Sequence, residues 1–197
     1  MPVWILNLVL SKAFDRVDWG ALWLALSEHG VSSHMLWIIQ NLYFNQHGEV
    51  TGQGGNSRAF QINAGVRQGC VLSPKMFSSV LHWAMSKWRA WAEGCSFGFD
   101  LGDGLPPLLD LRFADDILIF ARSSHEIMTL LDKLVQFLGD AGLILNAEKT
   151  VWFTTHAQPP PFLTTSTGAV IKVKEERVTN GWVVCCLQPF QKCNSGC

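Results

Sequence analysis

LRFADDILIF, residues 111–120, sets two adjacent carboxylates, Asp115 and Asp116, inside a run that is apolar apart from Arg112. Neighbouring ionised carboxylates repel each other and resist leaving water, so the pair calls for a solvated turn or a positive partner. Apolar runs on both sides, from Leu108 to Ala121, predict a β-hairpin with the carboxylates at its turn. A tight turn presents both carboxylates toward one divalent cation, where a continuous strand would send them to opposite faces. The plainer alternative is two polar turn residues, a position Asp favours for backbone reasons.

Working outward, Ser123 and Glu126 have the spacing of a capping box. They open a helix whose buried face is Ile127, Leu130, Leu131, Leu134 and Leu138 and whose end is Gly142. Upstream, Ser73 and Pro74 supply an N-cap and a first-turn proline for a helix with the stripe Phe77, Val80, Leu81, Ala84, Met85, Trp88. The Gly-rich stretch GQGGN at Gly52–Asn56 predicts a hairpin between Glu49 and Ala64, with a strand at 59–63.

The first apolar run, Val3 to Leu10, reads as a buried strand ending at Ser11 and Lys12. A helix follows, N-capped by Asp18 and ended by Gly30, with Asp15 in the turn before it. A second helix begins at Ser33 with Met35, Leu36, Ile39, Leu42 and Tyr43 on one expected buried face, its end marked by Gly48. Further strands are expected at 143–145, 151–154, 170–173 and 182–187, with the proline run 159–161 breaking regularity.

A chain of 197 residues, 48% hydrophobic and 16% charged, with 9 Trp and 12 Phe, has enough apolar material for one sizeable core. A net charge of −1 is not the basic excess of a typical nucleic-acid binder, and composition alone ranks a neutral enzyme or interaction domain first. The opening residues MPVWILNLVL lack a basic leader and are shorter than a membrane span, so no membrane association is expected. Six scattered Cys without CxxC spacing suggest an intracellular, reducing setting, nucleus and cytoplasm not being distinguished.

Four segments in order, LSKAFDRVDW at Leu10–Trp19, GVRQGCVLSPKMF at Gly65–Phe77, FADD at Phe113–Asp116 and GLILNAEKT at Gly142–Thr150, change that ranking. The succession resembles the reverse transcriptases of non-long-terminal-repeat retrotransposons and, more distantly, of group II introns, over roughly Leu6 to Thr155. The resemblance implies an α+β polymerase palm, an antiparallel sheet with helices packed on one face and a template and primer on the other. It divides the chain into a partial reverse transcriptase domain, 1–156, and a degenerate or poorly ordered tail, 157–197. It also implies RNA-directed DNA synthesis on an RNA template and DNA primer from deoxynucleoside triphosphates, with two Mg²⁺ ions assisting nucleotidyl transfer.

On that resemblance Asp115 and Asp116 match the hairpin metal ligands, and Phe14 matches the aromatic residue that crowds the ribose 2′ position. Gln68 and Gly69 match nucleotide and template contacts, and Arg67 and Lys149 are candidates for phosphate contact. Each has a bland reading beside it: Phe14 as core, Arg67 and Lys149 as solvated charges, Gly69 as a turn residue of positive φ.

The sequence departs from the family where an aspartate, the third metal ligand, is expected directly before Leu10, since that position is Val9. Valine offers a hard cation no lone pair. Asp15, six residues on, lies about 20 Å away along an extended chain. The expectation is therefore a truncated copy, without complete fingers and thumb, of weak or absent activity. The alternative is a catalytically silent nucleic-acid-binding or interaction module on the same scaffold. Oligomeric state is not legible.

Overall fold

The computed structural model describes residues 2–102, 104–113, 116–157, 162–165, 168 and 170–173. In chain order the elements are β1 (Trp4–Leu8), α1 (Ala13–Arg16), α2 (Trp19–Glu28), α3 (Ser33–Tyr43), β2 (His47–Gly48), β3 (Thr51–Gly52), β4 (Gly55–Asn56) and β5 (Phe60–Gln61). They continue with α4 (Ser73–Gly94), β6 (Asp110–Phe113), β7 (Asp116–Ala121), α5 (Ser124–Asp140), β8 (Val151–Thr154), β9 (Phe162–Thr164) and β10 (Val170–Val173). No helix among the described residues is long and apolar enough to cross a membrane.

Six strands form one sheet in the order β6-β7-β1-β8-β10-β9. Its ladders are antiparallel except that β10 runs parallel to β8, which it reaches through β9. The expected palm sheet is thus present, and it extends past residue 157 through two strands. Residue alternation sets its faces. In β1, Trp4, Leu6 and Leu8 are buried while Ile5 and Asn7 are half-buried on the opposite face.

Helices α4 and α5 pack together, α2 packs on α4, and α5 lies against β1 and β7. The resulting core joins Leu6, Leu8, Ile117, Ile119 and Trp152 of the sheet to Val80, Met85, Trp88, Leu130 and Leu134 of the helices. Full burial of one such side chain contributes about 1.5–3 kcal/mol. Trp88 buries completely because its indole N–H donates to the Leu130 carbonyl at 2.9 Å, leaving no polar group unpaired.

The helix stripes read from sequence for α4 and α5 are the faces that are buried. Other readings need correction. In α3 only Ile39 and Tyr43 are buried, whereas Met35 and Leu42 are about half exposed, because α3 packs chiefly on α2 and, among the described residues, has no layer over its outer side. The helix stops at Tyr43, before Gly48. Ser73 is the first helical residue and Leu72 the N-cap. Ser123 does cap α5, but Glu126 does not close a capping box. Its carboxylate instead accepts from the Gly98 and Arg122 backbone N–H groups and from Arg122 Nε.

Three further differences concern the loops. Asp15 lies in the short helix α1, entered through a left-handed Lys12, and not in a simple turn. The 49–64 region holds two small ladders, β3 with β4 nested inside β2 with β5. Residues 143–145 contribute one bridge, Leu10 to Leu145, and not a strand. The expected strand at 182–187, the proline run 159–161 and the tail cysteines lie outside the described residues.

The stretch from Val9 to Trp19 is held from two sides by distant backbone. Gly65 N–H donates to the Val17 carbonyl and Val66 N–H to that of Phe14, while the Trp19 indole donates to the Gly65 carbonyl. From the other side Asp18 N–H donates to Ala141, Ser11 N–H to Ile144, and Asn146 N–H to Val9. Both contacts use glycines of positive φ at close approach: a Cβ on Gly65 would meet the Asp15 carbonyl oxygen at 2.8 Å, and one on Gly142 the Arg16 carbonyl oxygen at 2.5 Å.

Urea unfolding should therefore show Gly65→Ala and Gly142→Ala each losing about 2 kcal/mol or more, combining left-handed strain with backbone overlap. Gly139→Ala, inside α5 with open space at its Cβ, should be neutral or stabilising by up to about 1 kcal/mol. Equal effects at the three positions would contradict this account of the clasp.

Candidate active site

The antiparallel register between β1 and β7 runs from Trp4↔Ala121 to Leu8↔Ile117. One pair further along the same ladder, Val9 falls opposite Asp116, the first residue of β7. Asp116 is exposed and pairs across the hairpin with Phe113. Alternation puts Val9 on the face of Ile5 and Asn7, away from the helices. Asp115 lies outside the described residues. The expected hairpin is present, with residues 114 and 115 between its strands.

Val9 is fixed by its backbone. Its N–H donates to Thr150 Oγ1 at 3.2 Å, and its carbonyl accepts from Asn146 N–H at 2.8 Å. The loop carrying Lys149 is thereby tied to the end of β1. Asn146 organises that loop, its Oδ1 accepting from Lys149 N–H and its carbonyl from Thr150 Oγ1–H. The Lys149 residue itself is exposed.

On the other side of the β1 end, Phe14 is half-buried with one ring face stacked on Phe77, centroids 4.8 Å apart. Phe14 therefore does belong to the packing of the core, as its bland reading held. Gln68 is exposed, and its Nε2 donates to Asp15 Oδ1 at 3.1 Å. Sequence reading missed this pairing. The signal available was the recurrence of a carboxylate and an amide in two segments of matching order, but only the clasp at Gly65 and Val66 brings those segments together.

Gly69 has φ +83° with nothing near the place of a Cβ, so conformation and not crowding demands glycine there. Arg67 turns elsewhere: its Nε donates to Gln46 Oε1 at 3.2 Å and its Nη2 approaches the Leu42 carbonyl at 3.5 Å, near the C-terminus of α3. That position suits a cation, since the last carbonyls of a helix carry partial negative charge. Next to it, the Cys70 thiol pKa is lowered from its ordinary value, first by a hydrogen bond from the Leu72 backbone, then, against some desolvation, by hydrogen bonds from Ser73 and last by the Arg67 charge.

The structure thus brings Phe14 and Gln68 to one side of the β1 end and the Lys149 loop to the other, with Asp116 beside it, while Arg67 serves α3. Among the described residues, Asp116 is an exposed carboxylate beside the end of β1, and the other candidates there are committed elsewhere or lack oxygen. Val9 supplies no oxygen, Asp15 is engaged by Gln68, and Asp18 accepts from Ala21 N–H as the cap of α2. Asn7 Oδ1 is a buried acceptor without a partner among the described residues and shares the face of Val9, but it lies about 6–7 Å further down the strand. No group of three or more His, Cys, Asp or Glu side chains suited to a metal occurs among the described residues.

The chain matches the family described as Reverse transcriptase (RNA-dependent DNA polymerase) over residues 2–178. A Retrovirus-related Pol polyprotein from type-2 retrotransposable element R2DM of Drosophila melanogaster is 31% identical to it over 156 residues, which is 79% of this chain and 14% of the relative. A Retrovirus-related Pol polyprotein from type-1 retrotransposable element R2 of Popillia japonica is 29% identical over 148 residues, 75% of this chain and 20% of that relative. The chain therefore corresponds to only a small part of these longer proteins.

Among solved structures, apo telomerase from Candida tropicalis superposes with a TM-score of 0.59 at 17% identity, covering 87% of this chain and 33% of that one. Telomerase from Candida albicans in complex with a fragment of telomeric RNA gives 0.56 at 16% identity, covering 83% and 28%. At such identities the likeness concerns the fold, a polymerase palm. With the ordered segments, this sheet and the match over residues 2–178, the chain belongs to the reverse transcriptase family, as a domain of the non-long-terminal-repeat retrotransposon type.

Proposed function

We propose that this domain descends from an RNA-directed DNA polymerase, reads an RNA template with a DNA primer, and is impaired in catalysis by the side chain at position 9. The observation that carries the reading is the β1–β7 register, which leads Val9 to the position opposite Asp116 where the family has its third carboxylate. In this reading Asp115 and Asp116 are the remaining metal ligands. Asp115 and Asp116 would hold divalent cations, which when bound would supply activation of the primer 3′ oxygen and charge neutralisation on the triphosphate.

The other residues act around that centre. Phe14, braced by Phe77, would limit space at the ribose 2′ position, and its stack explains how an aromatic edge is kept rigid. Gln68 and Gly69 would face nucleotide and template, Gln68 being oriented by Asp15. Lys149 would reach phosphate from the loop tied to Val9. Arg67 would contribute mainly through the α3 terminus that it caps. The RNA-bound telomerase neighbour favours an RNA template. A silent nucleic-acid-binding module is the competing reading, favoured by the same Val9.

RNA-templated primer extension with Mg²⁺ separates the two readings. The unmodified chain should extend poorly or not at all. Val9→Asp should raise extension by at least about 100-fold, since even outer-shell changes at metal sites cost about 10–100-fold. Silence in both proteins would favour the binding module. In the Val9→Asp background, Asp15→Ala should raise the deoxynucleotide KM about fivefold, the size of one hydrogen bond, with kcat little changed. Because the pair is exposed, the unfolding free energy of this variant in urea should stay within about 0.5 kcal/mol of its parent.

A further inference from the structure

Away from that centre, at β6, the edge strand of the sheet among the described residues, a cleft of about 440 Å³ opens between β6 and α4, lined among others by Ser78, His82, Arg89, Asp110 and Arg112. Asp110 is the anchor. Its side chain is 2% exposed, and a buried carboxylate is costly unless paired. Arg89 Nη2 meets Oδ1 at 2.5 Å, and Arg112 Nε lies 3.0 Å from Oδ2, though not aligned as a hydrogen bond. Two guanidinium groups against one carboxylate leave a net positive charge in a chain whose total is −1.

Each arginine spends one nitrogen on Asp110. Its other N–H groups have no hydrogen-bond partner among the described residues, and the two side chains are 42% and 25% exposed. Arg112 shares the side of β6 with Asp110, two residues away, so the excess charge faces α4 and not the open side of the sheet. His82 stands on α4 beside this pair. Burial, then Arg112, His29 and Arg89, hold its imidazole below the ordinary histidine range. Around it are His29, the C-cap of α2, with ring centroids 5.3 Å apart, Ser86, whose hydroxyl is 3.2 Å from Nε2, and Arg89, Asp110 and Arg112.

We propose that this cleft is a phosphate-binding site, in which Arg89 and Arg112, fixed by Asp110, take the phosphate oxygens and His82 closes the set. Two forked guanidinium groups held by a buried carboxylate match a tetrahedral oxyanion better than scattered lysines would. Its volume fits a nucleotide-sized group. The phosphate belongs either to a nucleic-acid backbone or to a free nucleotide or phosphate ion. Binding requires no catalysis, so a failure here and a failure of the polymerase reading are separable.

The test is to follow the His82 C2–H resonance, assigned with His82→Gln, through pH titrations of the full 197-residue chain alone, with inorganic phosphate, and with an unstructured oligouridylate. A bound anion should raise the His82 pKa saturably, and binding should strengthen as pH falls through the histidine range. Arg112→Gln, which leaves Arg89 on Asp110, should weaken binding about tenfold. Ser78→Glu, adding a carboxylate at an exposed position of α4 that lines the cleft, should do the same without touching the ion pairs. A shift with both probes assigns the site to backbone phosphate, and a shift with inorganic phosphate alone to a free ligand. No shift with either probe overturns the proposal, as does equal binding by wild type and the folded Ser78→Glu protein.

Discussion

The segment from Val9 to Trp19 is where the molecule is most constrained, because two stretches far away in sequence both donate backbone hydrogen bonds to it. Gly65 and Val66 hold it from one side and Asn146, with Thr150, from the other, while Ser11 and Asp18 reach back to Ile144 and Ala141. Every one of these groups would otherwise be an unpaired N–H or C=O near the core, where an unmade hydrogen bond costs about 1–3 kcal/mol. Position is the consequence. The end of β1, the Gln68 turn and the Lys149 loop are locked in one mutual arrangement before any ligand arrives.

That lock explains why glycine recurs where these segments meet. Gly65 and Gly142 combine positive φ with backbone on the far side of the missing Cβ, so the close approach and the local conformation are satisfied by the same residue. Gly69 differs in having only the conformational requirement, with open space around it. An exposed turn with free space beside Gln68 is what a surface facing a ligand would show, whereas the other two glycines belong to the scaffold that carries it.

Much of this was legible in the sequence. Periodicity alone gave the buried faces of α4 and α5, and the apolar runs around Asp115 and Asp116 gave the hairpin, because those elements pack on both neighbours as their patterns imply. The α3 face was misread since an apolar stripe predicts burial only when another layer exists to cover it. Glu126 was assigned to a capping box by spacing, but a free N–H at Gly98, brought near by tertiary folding, competes for its carboxylate. The Asp15–Gln68 and Arg89–Asp110–Arg112 contacts join residues 53, 21 and two positions apart, and only the last spacing falls inside one element.

Valine at position 9 is also intelligible as a physical compromise. An aspartate there would stand opposite Asp116 by the β1–β7 register, and facing carboxylates repel unless cations neutralise them. The surroundings offer little else to compensate: the face that Val9 shares carries Ile5 and Asn7, with Leu118 opposite Asn7 on β7, and the nearest hydrogen bonds to position 9 come from its backbone. Valine removes the repulsion, suits a strand through its β-branch, and keeps both backbone contacts. On the proposed reading, valine thus favours the strand at the position where a third oxygen ligand would otherwise be held, so stability of the palm and competence for catalysis would pull in opposite directions at this one side chain.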